Sequence, residues 1–382
     1  MSDVTPVRSP PKKIYASGPS ITDLEVKLVQ DALVRGAYEA PYYYVEEFQK
    51  AFAAWHGRKH GIMTPNCTTA VHLTLAGLGV KPGDEVIAPE LTWIGSTAGI
   101  KHCGARAVFA DVDPDNWCLD PRSVEQRITP RTKAIIAVGL HGNMPDLPAL
   151  EEVAKRHGIH LIEDAAQSLG STLHGRKAGT YGVASVFSFH RTKTLSTVEG
   201  GMMLTDDTKL WERCMFLRDH GRSSTIAYYN LEVAFKYIPT NLQAALGYAQ
   251  LQRLDELLAK KRLILQWYRE KLADIPDIAL NPEPPGGVNA VWVPGLVFGR
   301  SHKITKQQAM DHFARWGLPG RPFFYPLSSL PAYDEADHYR KHNPVAYDLS
   351  ERGIDLPSAL NMTEEDASYV AECIHDLVRR TA

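Results

Sequence analysis

Several things are scarce in this chain of 382 residues. Cysteine occurs five times (Cys67, Cys103, Cys118, Cys214, Cys373), an odd number, scattered, and never as C-x-x-C. That argues against a disulfide framework or a zinc cluster and suits a reducing, cytoplasmic setting. No stretch approaches the roughly 18 apolar residues of a membrane span, and "MSDVTPVRSPPKK" has no apolar signal region. Charge of one sign is missing too. Lys and Arg number 42 against 44 Asp and Glu, so neither nucleic acid nor an anionic membrane is an expected partner. There is no internal repeat, no G-x-G-x-x-G at a strand-to-helix turn and no H-E-x-x-H. His56 and His60 are four apart, but no carboxylate is placed to complete a triad, so no metal site is expected.

What is present is α/β texture. "GIMT", "EVIAP", "ARAVFADV", "KAIIAVG", "IHLIEDA", "ASVFSFH" and "GMMLTDD" read as strands apolar on both faces. "TTAVHLTLAGLG", "GSTAGIKHC" and "LPALEEVAKRHG" read as helices between them. This alternation predicts a mostly parallel, mixed sheet covered by helices on both sides. Thr240–Leu272 predicts one or two long helices, with Leu242, Leu246, Ala249 and Leu254 as the apolar stripe. Beyond it, "NPEPPGGVN" is a Pro/Gly-rich connection, "VWVPGLVF" reads as a strand and "TKQQAMDHFARWG" as a helix. The expected organisation is a flexible lead-in (1–17), a large α/β domain (18–259) and a smaller C-terminal α+β domain (260–382).

The chemistry centres on "FSFHRTKTLSTVEGGMML", where Lys193 stands on a polar loop between two apolar strands. A lysine drawn into a site there loses ammonium character and becomes a nucleophile toward carbonyls; the alternative is a solvated surface lysine. Asp164, in "LIEDAAQS", closes a buried-type strand at the sheet edge where ligands bind; it would either cap a following helix or pair with a pyridinium nitrogen. Ser188 ends the strand before Lys193, placed to meet a phosphate or to bond locally. "TPNCTTAVHL" sets Asn66, Cys67, Thr68 and Thr69 at a helix start, where free N–H groups and the helix dipole favour an anion and where capping is equally at home. Trp93, in "ELTWIGS", would stack on a flat ring or fill core.

Taken together, these stretches resemble the DegT/DnrJ/StrS family of sugar aminotransferases, fold type I pyridoxal phosphate enzymes. The resemblance runs from about Gly18-Pro19 to the C-terminal helix and rests on "LIEDAAQSLGS", "FSFHRTKTLSTVEGGMMLTDD", "LRDHGR" and "TNLQAALGYAQL". It implies that Lys193 holds the cofactor as an imine and then moves protons. It further implies that Asp164 pairs with the pyridine nitrogen, Gln167 lies near the ring oxygen, Trp93 stacks, and Thr68, Thr69 and Ser188 bind the phosphate. Family members are homodimers with shared active sites, which makes Lys236, before "TNLQAA", a cross-subunit phosphate ligand. His220 and Tyr325 are candidate sugar contacts. The implied reaction is transamination of a nucleotide-linked keto-deoxy sugar with glutamate. "TWIGS", "DPDNWCLDP" and "RPFFYPLSSLPAY" point to the perosamine synthase-like branch, hence a GDP-linked 4-keto-6-deoxyhexose. A 3-keto sugar or a cyclitol is the alternative substrate, and a non-catalytic cofactor-binding regulator the alternative role. The chain departs from the family pattern at Cys67 and Val198, where glycine is usual, at Lys236 in place of asparagine, and at Ser328 in place of histidine.

Overall fold

Val, Ile, Phe and Met dominate seven short segments, and those segments pair into one central sheet. The computed structural model describes residues 9–36 and 38–381. The sheet strands are β1 (His60–Thr64), β2 (Glu85–Pro89), β3 (Arg106–Ala110), β4 (Thr132–Val138) and β5 (His160–Asp164). After a small hairpin of β6 (Thr172–Leu173) and β7 (Arg176–Lys177) come β8 (Ala184–Ser188) and β9 (Gly201–Thr205). Their order is β1-β9-β8-β5-β4-β2-β3. Every neighbouring pair is parallel except those of β9, which runs against both β1 and β8.

Alternate residues of these strands feed two separate cores. Ile87, Ile135, Leu161 and Phe187 pack on one face; Val86, Ala134, Ile162 and Val186 pack on the other. That two-sided burial is why the strands lack polar alternation. The covering helices are α1 (Asp23–Gly36), α2 (Tyr43–His56), α3 (Cys67–Gly77), α4 (Gly95–His102), α5 (Pro121–Glu125), α6 (Leu147–His157) and α7 (Thr208–Arg218). The sheet thus follows the sequence-based expectation of a mostly parallel mixed sheet covered by helices.

The 240–272 segment forms two helices, α8 (Asn241–Gln252) and α9 (Leu254–Lys271), broken at Arg253. Of the expected stripe, Ala249 and Leu254 are buried, but Leu242 and Leu246 are not. Ala244, Ala245 and Ala249 are buried while Leu242 is exposed, because α8 lies close against α1 and α2 on its small residues. Helix α9 runs unbroken across residues 259 and 260.

A second, four-stranded antiparallel sheet has the order β10 (Ile278–Leu280), β12 (Gly295–Phe298), β14 (Gly353–Asp355), β13 (Arg321–Pro322). The short β11 (Gly287–Val288) pairs instead with β6. Helices α10 (Lys306–Arg315), α11 (Ala336–Tyr339), α12 (Pro344–Arg352) and α13 (Glu364–Thr381) complete the chain. Its core joins Ile264 and Tyr268 of α9 to Leu296, Phe313, Ile354 and Val370. Residues 1–8 of the expected lead-in lie outside the described residues. From Ile14 onward the segment is packed rather than flexible: Ile14 is buried in this core, and the Ala16 carbonyl accepts the Ser358 N–H at 2.9 Å. "VWVPGLVF" is strand only from Gly295; Val291 adopts a φ of 64°, and the chain around it swings Trp292 out of the sheet. Among the described residues no helix is long and apolar enough to cross a membrane.

Candidate active site

Because β9 alone is reversed, its first residue meets the last residues of its neighbours. Gly201 is in register with both Thr64 and Ser188, and Val138 with Asp164. Gly201 has no room for a side chain: a Cβ there would stand 2.5 Å from the Asn66 carbonyl carbon and 2.6 Å from the Cys67 nitrogen. The start of α3 is therefore pressed onto the strand that follows the Lys193 loop.

Asp164 is 1% exposed and caps no helix, since none follows β5. Its Oδ1 accepts the Ala166 N–H at 3.0 Å, and the Ser96 hydroxyl donates to Oδ2 at 2.7 Å. Burial raises its pKa; the Ser96 bond, the Ala166 N–H and the charge of Lys193 oppose that without cancelling it. Lys193 is not a surface lysine. Its Nζ lies 3.6 Å from the centroid of the Trp292 indole, and burial lowers its pKa to about 7 despite the attraction of Asp164. Both groups are pushed toward their neutral forms, so desolvation outweighs their mutual attraction. A further cation against Asp164 would restore its charge.

Trp93 is 62% exposed, which excludes the core alternative. It lies beside Thr68: a Cβ on Gly95 would stand 2.8 Å from Trp93 Cδ1 and 3.1 Å from Thr68 Oγ1. Thr69 is already engaged by the helix cap, donating to the Asn66 carbonyl at 2.7 Å, while Asn66 Oδ1 accepts the Thr69 N–H at 2.9 Å. Ser188 Oγ accepts a long bond, 3.3 Å, from the His190 N–H, so its own proton remains available. Gln167 is buried, with Oε1 accepting the His141 N–H at 3.0 Å. Cys67 does not restrict the turn, because it is the first residue of α3 and has no left-handed backbone.

The remaining candidates stand apart. Lys236 is ion-paired with Asp219 at 2.8 Å and bonded to none of the residues above. His220 is an exposed residue in a left-handed turn, its N–H donating to the Phe235 carbonyl at 2.7 Å. Tyr325 is half-exposed, with Lys306 Nζ 3.7 Å from its ring centroid. Ser328 is wholly buried, its hydroxyl 2.8 Å from that of Tyr347.

Three participants escaped the sequence reading. Ser96 orients Asp164. Trp292 is held by its indole N–H donating to the Thr192 carbonyl at 2.8 Å. His141, with φ 53°, has its ring nearly parallel to Trp292 (9°) and Phe324 (11°), and its Nε2 is 2.9 Å from Asp355 Oδ1. Only Ser96 had a local signal, three residues after Trp93; the others reach Lys193 through tertiary structure alone.

Two stability predictions arise here. Val198 has φ 67° and is 60% exposed, a costly conformation for a β-branched residue. Val198→Gly is expected to stabilise the protein by about 1 kcal/mol, the relieved strain exceeding glycine's chain-entropy cost; thermal melting checks it. Lys261, 1% exposed, donates to the Ser358 carbonyl at 2.6 Å, and burial lowers its pKa to about 7. Unfolded, it stays protonated to about pH 10.4, so between these values the unfolded state binds the extra proton and stability rises with pH. The unfolding free energy of wild type, measured by denaturant titration, is expected to gain on that of Lys261→Met from pH 7 to 10, by up to about 1.4 kcal/mol per pH unit. A constant difference would refute the burial-lowered value.

Comparison with known proteins adds a second line. Residues 19–375 match the profile of the DegT/DnrJ/EryC1/StrS aminotransferase family. GDP-perosamine synthase of Caulobacter vibrioides is 38% identical over 336 residues, 88% of this chain and 90% of that protein. GDP-perosamine synthase of Escherichia coli O157:H7 is 34% identical over 365 residues, 96% of this chain and 98% of the relative. A Streptococcus pneumoniae protein described as a sugar aminotransferase, solved in its PLP form, superposes with a TM-score of 0.89 at 26% identity, covering 97% of this chain and 100% of the other.

Proposed function

This chain belongs to the DegT/DnrJ/EryC1/StrS aminotransferase family and is an aminotransferase, and we propose that it transfers the amino group of glutamate to a nucleotide-linked keto-deoxy sugar with pyridoxal phosphate as cofactor. The observation that carries the reading is the lysine amine held near neutrality one sheet-strand away from a buried, cation-seeking carboxylate. The similarity to GDP-perosamine synthases supports a GDP-linked 4-keto-6-deoxyhexose as acceptor and an amino sugar as product.

The residues fit the cofactor. Asp164, steered by Ser96, would keep the pyridine nitrogen protonated. Thr68, Ser188 and the first N–H groups of α3 would take the phosphate, and Trp93 would cover the ring. Gln167, held by the His141 N–H, would lie near the ring oxygen. Pyridoxal phosphate, when bound, supplies an aldehyde that condenses with amines and a protonated ring that withdraws electrons from the bond being broken. Lys193, neutral above about pH 7, is the base that takes the proton from the donor's α-carbon and the acid that returns it.

Exposed apolar side chains on α1 and on residues 226–233, Leu33, Val34, Tyr228 and Val233 among them, support a homodimer. In that dimer Lys236 would turn from Asp219 to the partner's phosphate site. The dimer is proposed as a cytoplasmic enzyme.

Visible absorption of purified protein, borohydride reduction and peptide mass mapping test the assignment. A yellow chromophore that reduction fixes on Lys193 supports it, and a label on another lysine removes it. The rate at which apoprotein takes up pyridoxal phosphate is expected to climb about tenfold per pH unit below 7 and level off above, following the neutral amine. A rate still rising at pH 9 would mean that Lys193 keeps an ordinary ammonium.

A further inference from the structure

One cation beside Lys193 is paired with no anion among the described residues. Arg321, on β13, forms no ion pair with any acid among the described residues, and its Nη1 is buried without a hydrogen-bond partner. Its guanidinium carbon lies 5.3 Å from the centroid of the same Trp292 ring that Lys193 Nζ approaches to 3.6 Å, so the two cations are no farther apart than those distances end to end. Arg321, Lys193 and Lys261 repel one another. Neither acid nearby makes an ion pair with Arg321: Asp164 is bonded to Ser96 and the Ala166 N–H, and Asp355, its register partner on β14, has Oδ1 2.9 Å from His141 Nε2. Lys261 is spent on the Ser358 carbonyl. A half-buried guanidinium whose Nη1 is sealed from water without an anion is costly, and its planar fork matches a carboxylate.

We propose that Arg321 is the carboxylate anchor of the amino donor, gripping the α-carboxylate of an amino acid whose nitrogen is delivered at Lys193. The inference rests on the transaminase reading above. Its geometry is apt: an α-carboxylate carbon sits roughly 2.5 Å from its own amino nitrogen and about 4 Å from a guanidinium carbon bound fork to fork. That reach falls inside the separation set by Trp292. Trp292, pinned through the Thr192 carbonyl, holds both cations to one wall and so sets the distance between grip and chemistry.

The other anion that such a site suits is the diphosphate of the sugar nucleotide, and the two half-reactions distinguish them. On holoenzyme, single-turnover spectroscopy follows consumption of the yellow cofactor by glutamate and, separately, its regeneration by GDP-4-keto-6-deoxymannose. Calorimetry measures binding of glutarate, an unreactive dicarboxylate. Arg321→Gln is expected to raise the half-saturating glutamate concentration about 100-fold, a buried charge-pair loss, and to abolish measurable glutarate binding. Arg321→Lys restores part of both. Loss confined to the sugar half-reaction, or no change in either, overturns the anchor; the first assigns Arg321 to the diphosphate. Because no described residue hydrogen-bonds the Arg321 side chain, circular dichroism of the variants is expected to match wild type. If wild type binds glutarate through Arg321 yet transaminates no keto sugar, the anchor stands and the sugar-aminotransferase reading fails.

Discussion

Lys193→Ala is expected to lower the turnover number by about four orders of magnitude, the upper range for a positioned acid–base group. The lysine is asked to do two things, to hold the aldehyde and to move a proton, and no neighbour can replace it. Cys67 feels the charge of Lys193, but burial pushes its thiol well above its ordinary pKa. Arg321 offers a guanidinium and no free amine, and Lys261 is turned toward Ser358. Pyridoxal phosphate is still expected to bind the variant, since Asp164, Thr68, Ser188 and the α3 N-terminus remain. Millimolar methylamine is expected to restore part of the rate, because the truncated side chain leaves room for a small amine against Trp292. Stopped-flow absorbance with glutamate measures this. Turnover within tenfold of wild type would remove Lys193 from the mechanism.

Asp164→Asn has the second-largest effect. On the proposed mechanism the ring nitrogen would lose, with the carboxylate, the group that keeps it protonated, and turnover is expected to fall by about a hundred- to a thousandfold. Stability moves the other way. Burial raises the folded pKa of Asp164 above its unfolded value, so the folded state binds the extra proton in that window and stability falls as pH rises through it. At neutral pH the apoprotein carries that penalty, and asparagine removes it while keeping an acceptor for Ser96. The apo variant is thus expected to melt above wild-type apoprotein at pH 7, with the gap closing toward pH 4. Ser96→Ala, which frees the carboxylate to swing, is expected to cost about tenfold in rate with little change in stability. If asparagine impaired both rate and apoprotein melting, the residue would be structural.

Much of this site was written locally. Asp164 and Ser188 were legible because each ends a strand, where a two-sided apolar run meets its first polar residue, and Lys193 because it stands on the polar loop between two such strands. Asp164 had looked equally like a helix cap, and only the irregular turn at Ala166 removed that reading. Thr69 had looked like a phosphate ligand, yet its hydroxyl closes the cap with Asn66. Val198 was noted as a departure from glycine; the left-handed backbone shows what the glycine is for. Half of the stripe on this segment holds, Ala249 and Leu254; Leu242 and Leu246 miss because leucine is the apolar residue with the most area to hide, while close helix contacts select alanine and glycine.

Residue pattern alone yields an α/β chain with a mostly parallel sheet and the strand ends that carry its polar groups, because apolar periodicity and side-chain chemistry act over a few neighbouring residues. The aminotransferase reading came from the resemblance of its motifs to a known family, which the family profile bears out. Only the tertiary structure decided what surrounds Lys193. Trp292, His141, Arg321 and Asp355 come from distant segments, and burial, not residue type, moves the lysine amine to about 7. Desolvation is a property of everything packed around a group, so no stretch of chain could announce it.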